Sequence, residues 1–341
     1  MEGMALAVGI DISKDDFHAC IKEKAAGGNV RVKGSSTFAN NDGGFKEFAA
    51  WVAKREPAGC TTTYVMEATG NYYEDLAYAL YSSGANVCVV LANKVNHFIK
   101  SLNVKTKTDK VDADMIAQLG VERQLSPWIP MAPEYRSLRD LCREMLSLKK
   151  EKARAMCQLH AMRHSHEKLN YILKLKESQI AFYRESIQQI EAEIRRVVAA
   201  NPTLKQKVEK IEKVKGLRLP TIVMVLCETN GFLLFRSIRQ VVSYAGLDVQ
   251  MKESGQFVGK SKISKKGNAR IRQCLFMPAL SATRYNDSIK LLYERIAERN
   301  PGIKKKGVVA AMRKLIVLIF VLWTTGEEYN PDYAWNAIGI G

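Results

Sequence analysis

Paired cysteines of the kind that hold zinc or form a disulfide framework are missing from this chain. No Cys-x-x-Cys spacing occurs, and the seven cysteines are scattered: Cys20, Cys60, Cys88, Cys142, Cys157, Cys227 and Cys274. This usage favours a protein with reduced, buried thiols over a disulfide-bonded or zinc-binding one.

Long apolar runs are also absent. Residues 5–10 are apolar, but the stretch is short and Asp11 follows at once, so we expect no signal peptide. The longest run, residues 315–323, is too short to span a bilayer and follows Arg313 and Lys314. We therefore expect a buried helix there, in a soluble, cytoplasmic protein.

Acidic residues are few relative to basic ones. The 341 residues include 52 Lys and Arg against 35 Asp and Glu, a formal net charge of +17. Such an excess favours a nucleic-acid partner. An anionic membrane surface is a weaker explanation, because the basic residues are spread along the whole chain rather than along one amphipathic helix. With 47% hydrophobic residues the chain can bury a core, which argues against global disorder.

The first 132 residues predict an α/β domain with a mixed sheet. Three consecutive strands are expected to form an antiparallel meander, and helices and strands alternate after them. The predicted strands are 4–11, 15–22, 29–38, 62–67 and 86–91, and the predicted helices are 43–54, 72–83, 94–101 and 109–124.

Residues 133–201 predict a coiled-coil segment. Neither glycine nor proline occurs between Pro133 and Pro202, and a heptad repeat that starts at Leu138 is apolar at nearly every a and d position. The polar exceptions are Lys152, His166 and Lys176. The partner helix could belong to another subunit or to the same segment folded back. A pair of ordinary amphipathic helices packed on a domain is the alternative.

Residues 202–330 predict a mainly helical domain, followed by a tail over 331–341. Helices 203–214 and 219–229 flank Val-Lys-Gly216-Leu, which resembles the phosphate-binding turn of a helix–hairpin–helix. Arg218 stands where such turns usually carry a second glycine, so phosphate contact is left open. The remaining predicted segments are a loop over 251–266 and helices over 235–245, 267–284, 286–299 and 304–325.

Four acids form the first candidate site. Asp11 and Glu67 each end a predicted strand, and neighbouring strand ends bring such side chains together. Asp109 and Asp112 share one face of a helix that Thr108 can cap, whereas Asp114 points elsewhere. Four carboxylates suit Mg²⁺ or Mn²⁺ in phosphodiester chemistry. Solvated surface charges, turn residues and helix caps are the bland alternative.

A basic stretch forms the second candidate site. Between residues 252 and 272, Glu253 is the one acid among seven cations. Glycines allow the backbone to approach a phosphate, and cations neutralise it. The residues expected to bind nucleic acid are Lys260, Lys262, Lys265, Lys266 and Arg270. Ser254 could act as a nucleophile, but its chemistry alone does not separate it from any other loop serine.

These motifs together resemble one family. The motifs are Val-Gly-Ile-Asp11, Met-Glu67-Ala-Thr-Gly, Lys-Thr-Asp109-Lys-Val-Asp112-Ala, and Glu-Ser254-Gly followed by Ser-Lys-Ile-Ser-Lys-Lys-Gly-Asn. They look like the motifs of the DEDD transposases. Those are insertion-sequence recombinases that use a bridge RNA, and the Piv-type DNA invertases are their relatives. The resemblance implies an α/β RNase H-like (RuvC-like) domain with a mixed sheet, a coiled coil and a helical transposase domain.

The same resemblance implies roles and partners. Asp11, Glu67, Asp109 and Asp112 would bind Mg²⁺ (or Mn²⁺), and Ser254 would form a covalent phosphoserine intermediate. The partners would be donor and target DNA, a structured non-coding guide RNA, and further copies of the chain in a homodimer or homotetramer. A prokaryotic, nucleoid-associated location follows.

Other functions remain in competition. An RNA-independent DNA invertase would carry nearly the same motifs. A Holliday-junction-type nuclease would use the acids alone and give no protein–DNA adduct. A non-catalytic nucleic-acid scaffold would tolerate loss of Asp11 or Ser254. An actin-like sugar kinase is disfavoured by the coiled-coil pattern, the charge and the lack of a second phosphate loop.

Overall fold

The computed structural model describes residues 5–25, 27–57, 59–68, 70–102, 108–250 and 262–331, and the backbone of 253–254 and 257–258. The chain divides into two compact units, Met1–Pro130 and Met131–Gly341.

A five-stranded mixed sheet forms the centre of the first unit, as predicted. Its strands are β1 (Ala5–Ile12), β2 (Asp16–Lys24), β3 (Val30–Ala39), β4 (Thr62–Glu67) and β5 (Asn86–Val90). The strand order is β3-β2-β1-β4-β5. The first three strands pair antiparallel, and β4 runs parallel to both β1 and β5. β1 therefore lies at the junction between the meander and the parallel strands.

Helices cover both faces of this sheet. They are α1 (Asp42–Ala53), α2 (Glu74–Ser82), α3 (Ala92–Ser101) and α4 (Asp109–Glu122). One face buries Phe17, Phe48 and Leu76 in a single core with α1 and α2. The opposite face buries Val65 and Ile116 with α3 and α4. The two cores fix β1 and β4 in the middle of three layers.

A helical hairpin opens the second unit. It consists of α5 (Pro133–Arg163) and α6 (Asn170–Ala199). The helices are antiparallel, because Lys149 Nζ lies 3.2 Å from Glu191 Oε1 and Arg163 Nη2 lies 2.7 Å from Glu177 Oε1. The heptad segment thus folds back on itself within one chain, which is one of the two predicted arrangements. A coiled coil between subunits stays a prediction.

Six further helices complete the second unit. They are α7 (Pro202–Glu212), α8 (Leu219–Glu228), α9 (Ile238–Tyr244), α10 (Ala269–Tyr285), α11 (Asp287–Arg299) and α12 (Lys305–Thr325). The base of the hairpin and these helices share one core, in which Leu138, Ile222 and Leu315 are fully buried. The predicted domain boundary at residue 202 therefore lies inside a common core.

The apolar run at 315–323 belongs to α12, which is longer than the run itself. Its 21 residues are long and apolar enough to cross a membrane by length and composition, but 67% of the most apolar window is buried inside the protein. Burial of that kind is typical of a core helix, so one such helix is weak evidence for a membrane span.

The predicted loop at 251–266 is instead partly paired. β6 (Val249–Gln250) pairs with β9 (Lys262–Ile263), and β7 (Glu253–Ser254) pairs with β8 (Phe257–Val258), both antiparallel. Ser254 stands opposite Phe257 in the second pair. The sequence did not indicate these strands, because two residues are too few to show the alternation of polar and apolar side chains by which strands are recognised.

Candidate active site

Two of the four acids follow neighbouring parallel strands. Ile10 of β1 pairs with Met66 of β4, so Asp11 and Glu67 come one residue beyond the same rung of the sheet. Parallel neighbours in register point to the same face, and every second residue of a strand shares that face. Asp11 therefore lies on the same face as Gly9.

Helix α4 packs against that face and brings the other two acids. A Cβ atom on Gly9 would overlap the backbone of Ala113 and Ala117, and one on Gly120 would lie 2.7 Å from Ala7 Cβ. The helix therefore runs from the carboxyl end of β1 toward its start. Its first turn, which carries Asp109 and Asp112, lies at the strand end that carries Asp11.

The start of α4 is capped as the sequence predicts. Thr108 Oγ1 accepts a hydrogen bond from the Val111 backbone N–H at 3.3 Å. Asp109 and Asp112 both stand in the first helical turn, where the helix dipole favours negative charge. The cap fixes the start of α4, and the helix dipole stabilises the carboxylates of Asp109 and Asp112 on the turn that lies at the Asp11 end of β1.

Electrostatics show that the four acids influence one another. The pKa of Asp11 is raised from 3.8 to about 6. Burial is the largest cause, and the negative charges of Asp112, Asp109 and Glu67 follow in that order. The structure thus places the four acids that the sequence singled out at one end of the sheet, although Asp11 and Asp112 are 101 positions apart in the sequence.

The set fits a divalent cation by its chemistry. Its donors are carboxylate oxygens, which Mg²⁺ and Mn²⁺ prefer, and a cation would relieve the repulsion that raises the pKa of Asp11. Across the described ranges, no three Asp, Glu, His or Cys side chains already stand close enough together to hold a metal. The four acids therefore lie at one end of the sheet but do not form a closed ligand cage in the described residues.

His18 is a neighbour of this site that the sequence analysis missed. It pairs with Asp11 across β1 and β2, and its positive charge acts to lower the pKa of Asp11. The register that joins them follows from the turn between the strands, in which Ser13 Oγ donates to Asp16 Oδ1 at 2.7 Å. An aspartate and a histidine on either side of a tight turn could have suggested the contact.

Asp114 has a different environment from the four acids. Its carboxylate accepts a hydrogen bond from Lys22 Nζ at 2.9 Å, and the Lys22 side chain is only 8% exposed. This ion pair ties α4 to β2. A structural role explains Asp114 without any part in the acidic set.

The predicted nucleic-acid residues lie around β9 and the start of α10. Four of them are exposed: Lys262, Lys265, Lys266 and Arg270. Lys260 and the side chain of Ser254 lie outside the described residues. The exposed cations leave this end of the second unit open to a polyanion.

A buried ionic network lies beneath that segment. The side chain of Glu228 is 3% exposed. Its carboxylate accepts hydrogen bonds from Arg143 Nε at 2.7 Å and from Asn268 Nδ2 at 2.7 Å. Asn268 also caps α10, because its Oδ1 accepts the Arg270 backbone N–H at 2.9 Å. Burial would raise the pKa of Glu228, but these hydrogen bonds outweigh it and the pKa is lowered. The network joins α5 and α8 to the end of the serine-bearing segment.

Comparisons with known proteins agree with this description. A family model described as Transposase, of the IS110 DEDD type, matches residues 8–164, and one described as Transposase IS116/IS110/IS902 family matches residues 208–294. The pilin gene-inverting proteins of Moraxella bovis and Moraxella lacunata are each 29% identical over 327 residues, which cover 95% of this chain and 97% of theirs.

Among solved structures, the chain is similar to T. thermophilus RuvC in complex with a Holliday junction substrate. The identity is 9%, the TM-score is 0.28, and the match covers 36% of this chain and 99% of that one. A likeness of this size does not by itself show a common fold. The mixed sheet covered by helices nevertheless fits the RNase H-like DEDD fold that the first family match indicates.

The two family matches and the two relatives indicate a class of protein, the DNA-recombining enzymes. Within it, the chain is similar to IS110-type transposases over both matched segments, and to the pilin gene-inverting proteins over nearly its whole length.

Proposed function

We propose that the chain is the transposase of a mobile insertion sequence and that it cuts and exchanges DNA strands through a phosphoserine intermediate. Ser254 is the nucleophile, and Asp11, Glu67, Asp109 and Asp112 hold Mg²⁺ or Mn²⁺. The observation that supports this proposal most is the placement of Asp11 and Glu67 one residue beyond the same rung of β1 and β4, on the face against which the first turn of α4 brings Asp109 and Asp112. Burial, followed by the charges of these other three acids, raises the pKa of Asp11 accordingly.

The proposed reaction needs both sets of residues. The Ser254 oxygen forms a bond to phosphorus while the bond from phosphorus to the leaving sugar oxygen breaks. The serine gives up its hydroxyl proton to a base or to solvent, and the leaving sugar oxygen takes up a proton to become a hydroxyl. A serine hydroxyl is a weak nucleophile at neutral pH and needs a base or a metal to activate it. A divalent cation on the acids would supply charge stabilisation at the phosphate.

The nucleic-acid partners are donor and target DNA and a structured guide RNA. In the proposed complex the DNA phosphates contact the basic segment that contains Lys262, Lys265, Lys266 and Arg270. The family resemblance supports the guide RNA. RNA that co-purifies with the protein from its host, and loss of strand exchange after ribonuclease treatment, would test this part.

A second candidate is a site-specific DNA invertase that needs no guide RNA. It is favoured by the two relatives, whose names describe inversion of a pilin gene. Full strand exchange by protein that has been stripped of RNA would decide for this alternative. A junction nuclease that uses the acids alone would cut DNA without a covalent adduct.

Assembly is proposed to use the outer face of the helical hairpin. Leu159 and Ile180 are buried inside the hairpin, so they cannot also form a seam with another subunit. Tyr171, Leu175 and Phe182 on α6 are 75%, 46% and 62% exposed and offer an apolar stripe instead. A homodimer or homotetramer formed in this way could complete each site with Ser254 of one subunit and the acids of another.

A mixing experiment tests the serine and the acids together. We expect Ser254→Ala to lose the covalent protein–DNA adduct and keep DNA binding, whereas Ser261→Ala, another serine of the same segment, should keep the adduct. Asp11→Asn should lose metal-dependent cleavage, as should the wild type in EDTA. Verified mixed assemblies of Ser254→Ala and Asp11→Asn should regain part of the cleavage.

Two outcomes would contradict the proposal. An adduct that persists in Ser254→Ala would remove the serine from the chemistry. Failure of every mixed assembly to regain cleavage would mean that one chain builds the whole site.

A further inference from the structure

A cavity of about 530 Å³ lies between the α7–α8 turn and α10, and its described lining includes no residue of the serine-bearing segment. The turn contributes Lys215, Gly216 and Arg218, and α10 contributes Met277 and Tyr285. The cavity therefore has a polar, cationic side and an apolar, aromatic side. Nothing in the proposed reaction uses it.

A second cavity, of about 430 Å³, continues from the first. Arg218 and Thr221 line both cavities, and the far side of the second is formed by Lys149 and Arg195 of the hairpin. The two cavities are therefore parts of one groove. It runs from α6 across the α7–α8 turn to the end of α10.

The charge of this groove is positive after its acids are accounted for. Glu212 Oε1 accepts the Leu219 backbone N–H at 2.7 Å, and Glu191 pairs with Lys149. Within the described part of the chain, exposed Lys215, Arg218 and Arg195 form no ion pair. Cations without partners of opposite charge are available to an anion in the groove.

The backbone of the turn adds donors. Leu217 N–H bonds to the Val214 carbonyl at 3.0 Å, but the amides of Lys215, Gly216 and Arg218 have no acceptor within the described residues. Gly216 has φ +105°, and a Cβ atom there would lie 2.8 Å from Ala282 Cβ, so only glycine lets the turn pack this closely on α10. The turn therefore packs closely on α10, and three of its backbone amides have no protein acceptor in the described part of the chain.

Arg218 does not spoil this turn. Its φ of −141° is ordinary extended backbone, which any residue adopts, so a second glycine is not needed there. The arginine adds a guanidinium group, which pairs well with phosphate. In place of the second glycine of the usual helix–hairpin–helix pattern, this chain therefore has a side chain that is able to bind phosphate.

We propose that this groove binds the backbone of DNA at a second site, separate from the Ser254 segment. Phosphates contact the turn amides, Lys215 and Arg218, while the exposed ring of Tyr285 (63%) stacks on a base or sugar of the same strand. The site holds and orients DNA and takes no part in the chemistry. The proposed DNA-binding groove can therefore be tested independently of the roles proposed for Ser254 and the four acids.

The test measures the affinity for a fluorescein-labelled DNA as a function of salt, in EDTA so that no strand is cut. Lys215→Ala with Arg218→Ala should reduce the slope of log affinity against log salt by about two, since each phosphate contact contributes about 0.9 for duplex DNA. The control is Lys290→Ala with Arg299→Ala, which removes two exposed cations from α11 of the same unit. It should leave the slope nearly unchanged.

Tyr285 gives a second readout that charge alone cannot mimic. Tyr285→Ala should weaken DNA binding about tenfold without a change in salt slope, and Tyr285→Phe should restore it, because stacking needs the ring and not the hydroxyl. Thermal unfolding verifies that each variant is folded.

Three results would overturn the proposal. Equal loss of slope in both double variants would mean that only total charge matters. An unchanged slope in Lys215→Ala with Arg218→Ala would exclude phosphate contact. Loss of affinity for a labelled RNA hairpin with DNA binding intact would assign the groove to RNA instead.

Discussion

Replacement of Gly9 by alanine should disable the acidic site without touching any of its carboxylates. Gly9 is the point at which α4 comes closest to β1, and a Cβ atom there would lie only 2.7 Å from Ala117 Cα. Ordinary contact between carbon atoms is about 3.5–4.0 Å. The helix must therefore move away by about 1 Å, and it takes Asp109 and Asp112 with it.

The size of the effect follows from that displacement. A misplacement of about 1 Å at a reacting centre can reduce a rate about 100-fold. Overpacking at a fully buried position costs about 1–3 kcal/mol of the free energy of unfolding. Because burial and the charges of Asp112 and Asp109 raise the pKa of Asp11, retreat of α4 should lower that pKa below about 6.

Three measurements check this reasoning. They are the rate of DNA strand cleavage, the free energy of unfolding in urea, and the pKa of Asp11 from carbon-13 NMR in EDTA. Gly27→Ala is the control, since nothing lies within 4 Å of a Cβ atom there. A Gly9→Ala protein with the wild-type cleavage rate and the wild-type pKa of Asp11 would refute the idea that this glycine positions the site.

Further predictions concern charge and assembly. The pKa of Asp11 is raised from 3.8 to about 6, so between these pH values the folded protein binds a proton that the unfolded chain has lost. The free energy of unfolding without metal should therefore fall as pH rises from 4 to 6. Asp11→Asn should then be more stable than wild type in EDTA at pH 7, with no difference below pH 4; the reverse order in urea unfolding would contradict this. Arg143→Met leaves the buried Glu228 charge unpaired and should cost about 3–5 kcal/mol at pH 7 and less in acid, whereas Arg196→Met, at an exposed ion pair, should be nearly neutral. Phe182→Asp should lower the assembled mass in light scattering but not the melting temperature, and an unchanged mass would exclude this face from assembly.

Much of the first unit could be predicted because its signals are local. The strand 62–67 was expected with the bounds that the structure gives, and helix 109–124 differs by two residues at its end. Short apolar strands that end at an acid, and a helix that begins at a capping threonine, carry their boundaries in the sequence. The same locality made the four acids visible as candidates.

Contacts that depend on register or on folding back could not be predicted. The heptad pattern continues through His164–Leu169, where the chain turns between α5 and α6, because hydrophobic periodicity does not mark such a break. The Arg143–Glu228 pair joins residues 85 positions apart, and nothing near either residue indicates the other.

The packing of α4 against β1 has a consequence for synthesis of the chain. β1 emerges first, but Asp109 and Asp112 follow it by about a hundred residues, or roughly 5–20 s at a rate of 5–20 residues per second. A ribosome-bound fragment shorter than this has Asp11 and Glu67 without the helix that completes the set. In the proposed enzyme, an incomplete nascent chain therefore cannot hold the metal or cut the DNA from which it is being expressed.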